Sequence, residues 1–149
     1  MQNCIHIVKQ HEALAKYEHA HTRIHPDTSE MLLYKLQELF EVEKIYRRKG
    51  LTNQDVCEKL GTNRTYLTKI INDNYRKGFV EYLNGYRVQE AKELLKAQNE
   101  GGEYANYTIQ AISEMVGFVS ISAFYGAFKL IVGVTPAEYK RVVSKSSIE

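Results

Sequence analysis

The sequence predicts an all-α chain: two helix-turn-helix units joined by a long linker helix and preceded by an N-terminal helical extension. Three observations carry this. Residues 52–61, TNQDVCEKLG, and 108–117, TIQAISEMVG, are identical at four of ten positions and pair conservatively at three more, Val56 with Ile112, Cys57 with Ser113 and Leu60 with Val116. Apolar residues recur at helical spacing along most of the chain, with no convincing strand alternation. A long amphipathic stretch of helical period lies between the two copies.

Residues 1–27 read as a connector or arm, and residues 28–149 as the double unit. Asp27 and Glu30 stand at capping-box spacing before MLLYKLQELF. Leu32, Leu36, Leu39 and Phe40 then fall on one face, which predicts a helix over about residues 29–48, ended by Gly50. The first unit covers about 51–77. A linker helix over 79–97 follows from the spacing of Phe79, Leu83, Tyr86, Ala91, Leu94 and Leu95. NEGGEYANYT is a loop by composition. The second unit covers about 108–133. Thr135, Pro136 and Glu138 supply an N-cap, a first-turn proline and a capping-box glutamate, so a final helix spans about 135–143.

Each copy of the repeat has a physical reading. Thr52 or Thr108 caps a short helix whose inward residues are Val56 and Leu60, or Ile112 and Val116. Gly61 or Gly117 ends it in the left-handed conformation that glycine adopts without steric cost. A new N-cap follows, Asn63 or Ser120, and then buried anchors at four-residue intervals, Leu67 and Ile71 or Phe124 and Phe128. Two helices joined by a tight glycine turn, written twice, make two helix-turn-helix units. A 19-residue linker helix spans about 28 Å, against roughly 34 Å for one turn of B-DNA. Such a spacer can hold two second helices in successive major grooves on one face of a duplex, which points to sequence-specific binding of double-stranded DNA.

A chain of 149 residues accommodates one compact domain or two very small ones. No apolar run approaches the roughly 20 residues needed to span a bilayer, and no signal segment opens the chain, so the expectation is a cytoplasmic protein without membrane contact. Net charge is only +2, but residues 62–77 hold Arg64, Lys69, Arg76 and Lys77 against Asp73. The basic footprint is thus confined to the stretch after the first repeat. Cys4 and Cys57 form no ligand pair or disulfide framework, and Cys57 reads as an ordinary thiol half buried in a helix. All five histidines lie within the first 25 residues, and His21 and His25 have a spacing that can share a metal on a helix. No Cys or carboxylate pattern completes that site, and neither metal nor cofactor is expected. There is no Gly-rich phosphate loop, nucleophile motif or flanking carboxylate pair, so an enzyme is not expected either. The competing reading is a helical protein-interaction module in which the paired units act only as scaffold.

The stretches RTYLTKIIN, FVEYLNGYRVQEAKELL, IQAISEMVGF, SAFYGAFK and GVTPAEYKR occur in an order that resembles the DNA-binding domain of AraC/XylS-type transcription regulators, over about residues 51–142. TNRTYLTKIIN with the preceding EKIYRRKGLT is similar to the version at the C-terminus of larger sensor proteins in the Bacteroidetes. The resemblance implies promoter DNA and RNA polymerase as partners and an upstream sensor domain outside this chain. Within that pattern Arg87 and Ala91 match the linker helix, and Gly117, Phe118, Phe124, Phe128 and Pro136 match the C-terminal signature. Two departures matter. The loop from Lys96 to Thr108 is longer than usual, which questions how rigidly the halves are joined, and Gly126 stands where the family carries Arg.

The candidate DNA-contacting residues follow from the outward faces. On the first recognition helix and its cap they are Asn63, Arg64, Thr65, Tyr66, Thr68, Lys69 and Asn72. Arg and Lys donate to guanine O6 and N7, Asn pairs with adenine, and Thr offers a hydroxyl or methyl. Tyr66 suits a phosphate or partial packing equally well. On the second they are Ser120, Ile121, Ser122, Tyr125 and Lys129. Ile121 suits a thymine methyl, or is a simple surface Ile.

Overall fold

The structure is a computed structural model that describes residues 28–146. The Asp27 cap, Cys4 and all five histidines therefore lie outside the described residues. Among the described residues seven α-helices follow one another: α1 (Thr28–Gln37), α2 (Asn53–Leu60), α3 (Arg64–Tyr75), α4 (Phe79–Ala97), α5 (Ile109–Met115), α6 (Ile121–Val132) and α7 (Pro136–Ser146). No strand occurs among the described residues.

The expected helix over 29–48 is corrected. α1 ends at Gln37 and continues as a π-helical turn over Glu38–Val42, closed by the Glu43 amide on the Glu38 carbonyl. Lys44 then takes the left-handed conformation at φ 51°, and a 3-10 turn covers Ile45–Arg47. No local breaker precedes Gly50, so the cause is tertiary. The wide turn carries Leu39 and Phe40 both into the core, and the redirected chain buries Ile45 and Tyr46. Phe40 meets Tyr46, Tyr82 and Tyr86 with ring centroids 4.9–6.4 Å apart.

The capping readings hold. Thr52 and Asp55 form a complete capping box at α2. Thr108 accepts from the Ala111 amide at α5, and Thr135 exchanges bonds with Glu138 at α7. α4 has the expected limits, whereas α7 runs three residues past its expected end, to Ser146. Cys57 is fully buried rather than half buried, and burial pushes its thiol pKa up. The long loop is tied at its base by Gln98, whose side-chain amide donates to the Tyr104 and Tyr107 carbonyls.

Two cores lie along α4. The N-terminal core gathers Leu36, Phe40, Val56, Leu67 and Ile71 onto Tyr82 and Leu83. The C-terminal core gathers Ile112, Val116, Phe118, Phe124 and Phe128 onto Val88, Ala91 and Leu95. Successive faces of one helix thus serve both units, and each second helix, α3 or α6, is held from behind by two fully buried anchors.

Candidate nucleic-acid interface

The surfaces of α3 and α6 are built alike. Asn63 caps α3 by accepting from the Tyr66 amide at 3.0 Å, and Ser120 caps α6 by accepting from the Ala123 amide at 3.2 Å. Leu67 and Ile71, or Phe124 and Phe128, then turn the same face of each helix inward. The outward stripe Thr65, Lys69, Asn72 on α3 corresponds to Ser122, Gly126, Lys129 on α6, and all six positions are exposed. Both helices end on a left-handed residue, Gly133 in α6 and Arg76 in α3. Only Arg76 carries the steric cost of that conformation.

The structure places Asn63, Arg64, Thr65, Tyr66, Thr68, Lys69 and Asn72 together on the exposed side of the first unit. Tyr66 is 49% exposed and lines a groove of about 710 Å³ between α1 and the turn of that unit, with Met31, Lys35 and Thr62. Lys69 is engaged: its Nζ lies 2.8 Å from Asp73 Oδ2, and that hydrogen bond raises its pKa. Asp73 sits one helical turn beyond Lys69, so the pairing was readable from the i, i+4 spacing. Arg64 makes no ion pair among the described residues.

On α6, Ser120, Ile121, Ser122 and Lys129 are exposed. Tyr125 departs from its expected outward position: it is half buried, and its ring packs edge-on against Phe124 as part of the second core. An aromatic ring beside a buried phenylalanine lowers its free energy by packing rather than by standing in water. Lys129 is the cation of this face, against Arg64 and Lys69 on α3. Among the described residues no group of His, Cys, Asp or Glu is placed to hold a metal, and no helix is long and apolar enough to cross a membrane.

Sequence reasoning placed Arg87 only by pattern, and Glu90 not at all. Arg87 is buried; its Nε donates to the Tyr46 carbonyl at 2.8 Å and its Nη2 to the Arg48 carbonyl at 2.9 Å. Burial lowers its pKa. Glu90, one turn on, accepts from Arg47 and, at 3.3 Å, from Lys44. Burial pushes its carboxyl pKa up, but the hydrogen bonds and charges of Arg47 and Lys44 outweigh this and hold it below the usual range. Tyr46 beside it is pushed up to about 12 by burial and by the Glu90 charge.

A family model described as a helix-turn-helix domain matches residues 56–142. Among curated proteins the chain is similar to the raffinose operon transcriptional regulatory protein RafR of Pediococcus pentosaceus, 28% identical over 63% of this chain and 31% of that protein. It is also similar to the TCP pilus virulence regulatory protein of Vibrio cholerae, 35% identical over 57% of this chain and 28% of that protein. The xylose operon regulatory protein of Escherichia coli is 27% identical over 65% of this chain and 23% of its own length. The chain therefore spans about a third or less of the curated relatives it matches. Among solved structures, the C-terminal domain of AraT, a response regulator from Geobacillus stearothermophilus, superposes with a TM-score of 0.64 at 26% identity, covering 81% of this chain and 88% of that one.

Proposed function

We propose a function from one premise: the chain belongs to the AraC/XylS type of helix-turn-helix transcription regulators, and so to a family of DNA-binding proteins. In this reading residues 28–146 form the DNA-binding part of the chain, and α3 and α6 lie in successive major grooves of one duplex. The observation that carries it is the duplicated outward stripe, Thr65, Lys69, Asn72 and Ser122, Gly126, Lys129, each borne on an N-capped helix backed by two fully buried anchors. Arg64 and Lys69 supply guanine or phosphate contacts, Asn72 an adenine contact, and Ile121 and the threonine methyls apolar contact with thymine. Asn63 and Ser120 have their side-chain oxygens committed to the caps, which leaves the Asn amide and the Ser hydroxyl to donate to phosphate. Tyr66 and Tyr125 act at the edges of the two faces.

Promoter DNA is the partner, with RNA polymerase recruited beside it and an upstream sensor supplying the signal through residues 1–27. Fluorescence anisotropy against a mixed-sequence duplex tests the reading. If Arg64, Lys69 and Lys129 each neutralise one phosphate, the logarithmic salt slope is about −2.7, or roughly 40-fold weaker binding from 50 to 200 mM salt. Affinity that does not change with salt refutes it. Leu130, 85% exposed on α6, is the observation that favours a protein-interaction surface instead; duplex binding absent even at low salt would support that reading.

A further inference from the structure

The short segment Lys44–Lys49 contacts both units and the linker helix between them. Three consecutive cations in it reach three different helices. Arg47 pairs with Glu90 on α4, Arg48 with Asp55 on α2 at 3.3 Å, and Lys49 with Glu114 on α5 at 3.3 Å. Its carbonyls, at Tyr46 and Arg48, are the acceptors of the buried Arg87 guanidinium, which also lies 5.4 Å from the Phe118 ring centroid in the second unit. Its backbone is pressed against the turn of that unit. A Cβ on Gly117, whose φ is +102°, would overlap the Tyr46 carbonyl oxygen and lie 2.9 Å from the Arg47 carbonyl carbon and oxygen. Only glycine satisfies both the left-handed turn and this approach.

The two units have separate cores whose common element is α4. A single shared helix sets their separation along its axis but holds their rotation about it only through side-chain packing. A second connection at a distance from the axis is what fixes that rotation. We infer that Lys44–Lys49 is a strap that sets the relative orientation of α3 and α6, with Arg87, Glu90 and Gly117 as positioning residues; its consequence for DNA rests on the two-reader function proposed above. The exposed pairs of Arg48 and Lys49 add little alone. The seat is made by buried Arg87 and Glu90, which lose their partners if the strap lifts. The strap is therefore seated as a unit rather than bond by bond.

The test uses the full chain with Cys4→Ser, Cys57 being buried, and spin labels at Glu58→Cys on α2 and Gln110→Cys on α5, both exposed. Pulsed electron resonance without DNA is expected to give one narrow distance distribution, broadened or displaced by Gly117→Ala. Should that variant not unfold cooperatively, Arg87→Gln and the surface double variant Arg47→Ala, Lys49→Ala take its place. A distribution unchanged in folded variants overturns the strap, whatever the DNA result. The second readout uses a duplex selected by the wild-type chain from a random pool, with one base pair inserted at the centre of its protected region. The wild type is expected to lose about tenfold or more in affinity on insertion, because avidity depends on simultaneous engagement. Strap variants should bind the parent duplex more weakly and discriminate the insertion less. A wild type that ignores the insertion refutes the two-reader function while leaving the distance measurement to decide the strap; variants that retain full discrimination overturn the strap's role in DNA binding.

Discussion

Gly126→Arg probes the second recognition helix directly. Gly126 lies within α6, between Ser122 and Lys129 on the outward stripe, and corresponds to Lys69 of α3. Its φ is outside the left-handed region, and nothing stands within 4 Å of where a Cβ would be. A side chain can therefore leave the backbone there without collision at its Cβ. Replacing an interior helical glycine by a good helix former is expected to stabilise by up to about 1 kcal/mol, or roughly 2–4 °C in Tm for a chain of this size. If the new guanidinium meets a phosphate, the salt slope steepens by about 0.9, which is about 3.5-fold more loss of affinity between 50 and 200 mM salt. Calorimetry and anisotropy titrations at several salt concentrations measure the two effects separately. A variant whose Tm rises while both affinity and slope stay at wild-type values refutes the placement of position 126 against DNA. One whose Tm does not rise refutes the helix-propensity argument.

Arg64→Ala or Lys69→Ala is expected to weaken specific binding by about 1–3 kcal/mol if either reads a base, and to relax preference at one position in a selection experiment. The Lys69–Asp73 pair does not protect against this, since an exposed i, i+4 pair screened by water adds little; both variants binding every duplex as the wild type does would exclude α3 as the reader. Acid stability reports on the strap. The Glu90 carboxyl is held below its ordinary value of 4.5 in the folded chain, so its contribution is fully present above about that pH and is lost as pH falls through the lowered value. Glu90→Gln should therefore lower Tm near neutrality, with the wild-type and variant curves converging as pH falls below about 4.5. Parallel curves would refute the charge-pair account. Asp55, Glu114 and Glu138 are also lowered, mainly by hydrogen bonds from Thr52, Gln110 and Thr135, and they titrate in both proteins, so the difference between the curves isolates Glu90.

What the sequence determined by itself was local or periodic. Thr52, Asn63, Thr108, Ser120 and Thr135 could be read as caps because a cap is completed within three residues. Leu67, Ile71, Phe124 and Phe128 could be read as anchors because helical spacing alone puts them on one face. The repeat and the ordered motifs likewise led to the helix-turn-helix family without any coordinates. The tertiary structure decided whatever depends on partners far apart in the chain. Residues 38–48 carry no local breaker, yet leave the α-helix because Phe40 and Tyr46 join rings from α4 some forty residues away. Tyr125 turns partly inward because Phe124 and its neighbours offer packing that a helical wheel does not show. Arg87 and Glu90 fall on helical positions that period reasoning leaves to solvent or to pattern matching. They are buried because the strap brings carbonyls and cations from 39 to 46 residues upstream to meet them. Spacing rules hold within one helix, and these contacts form only once several helices have closed around the same point.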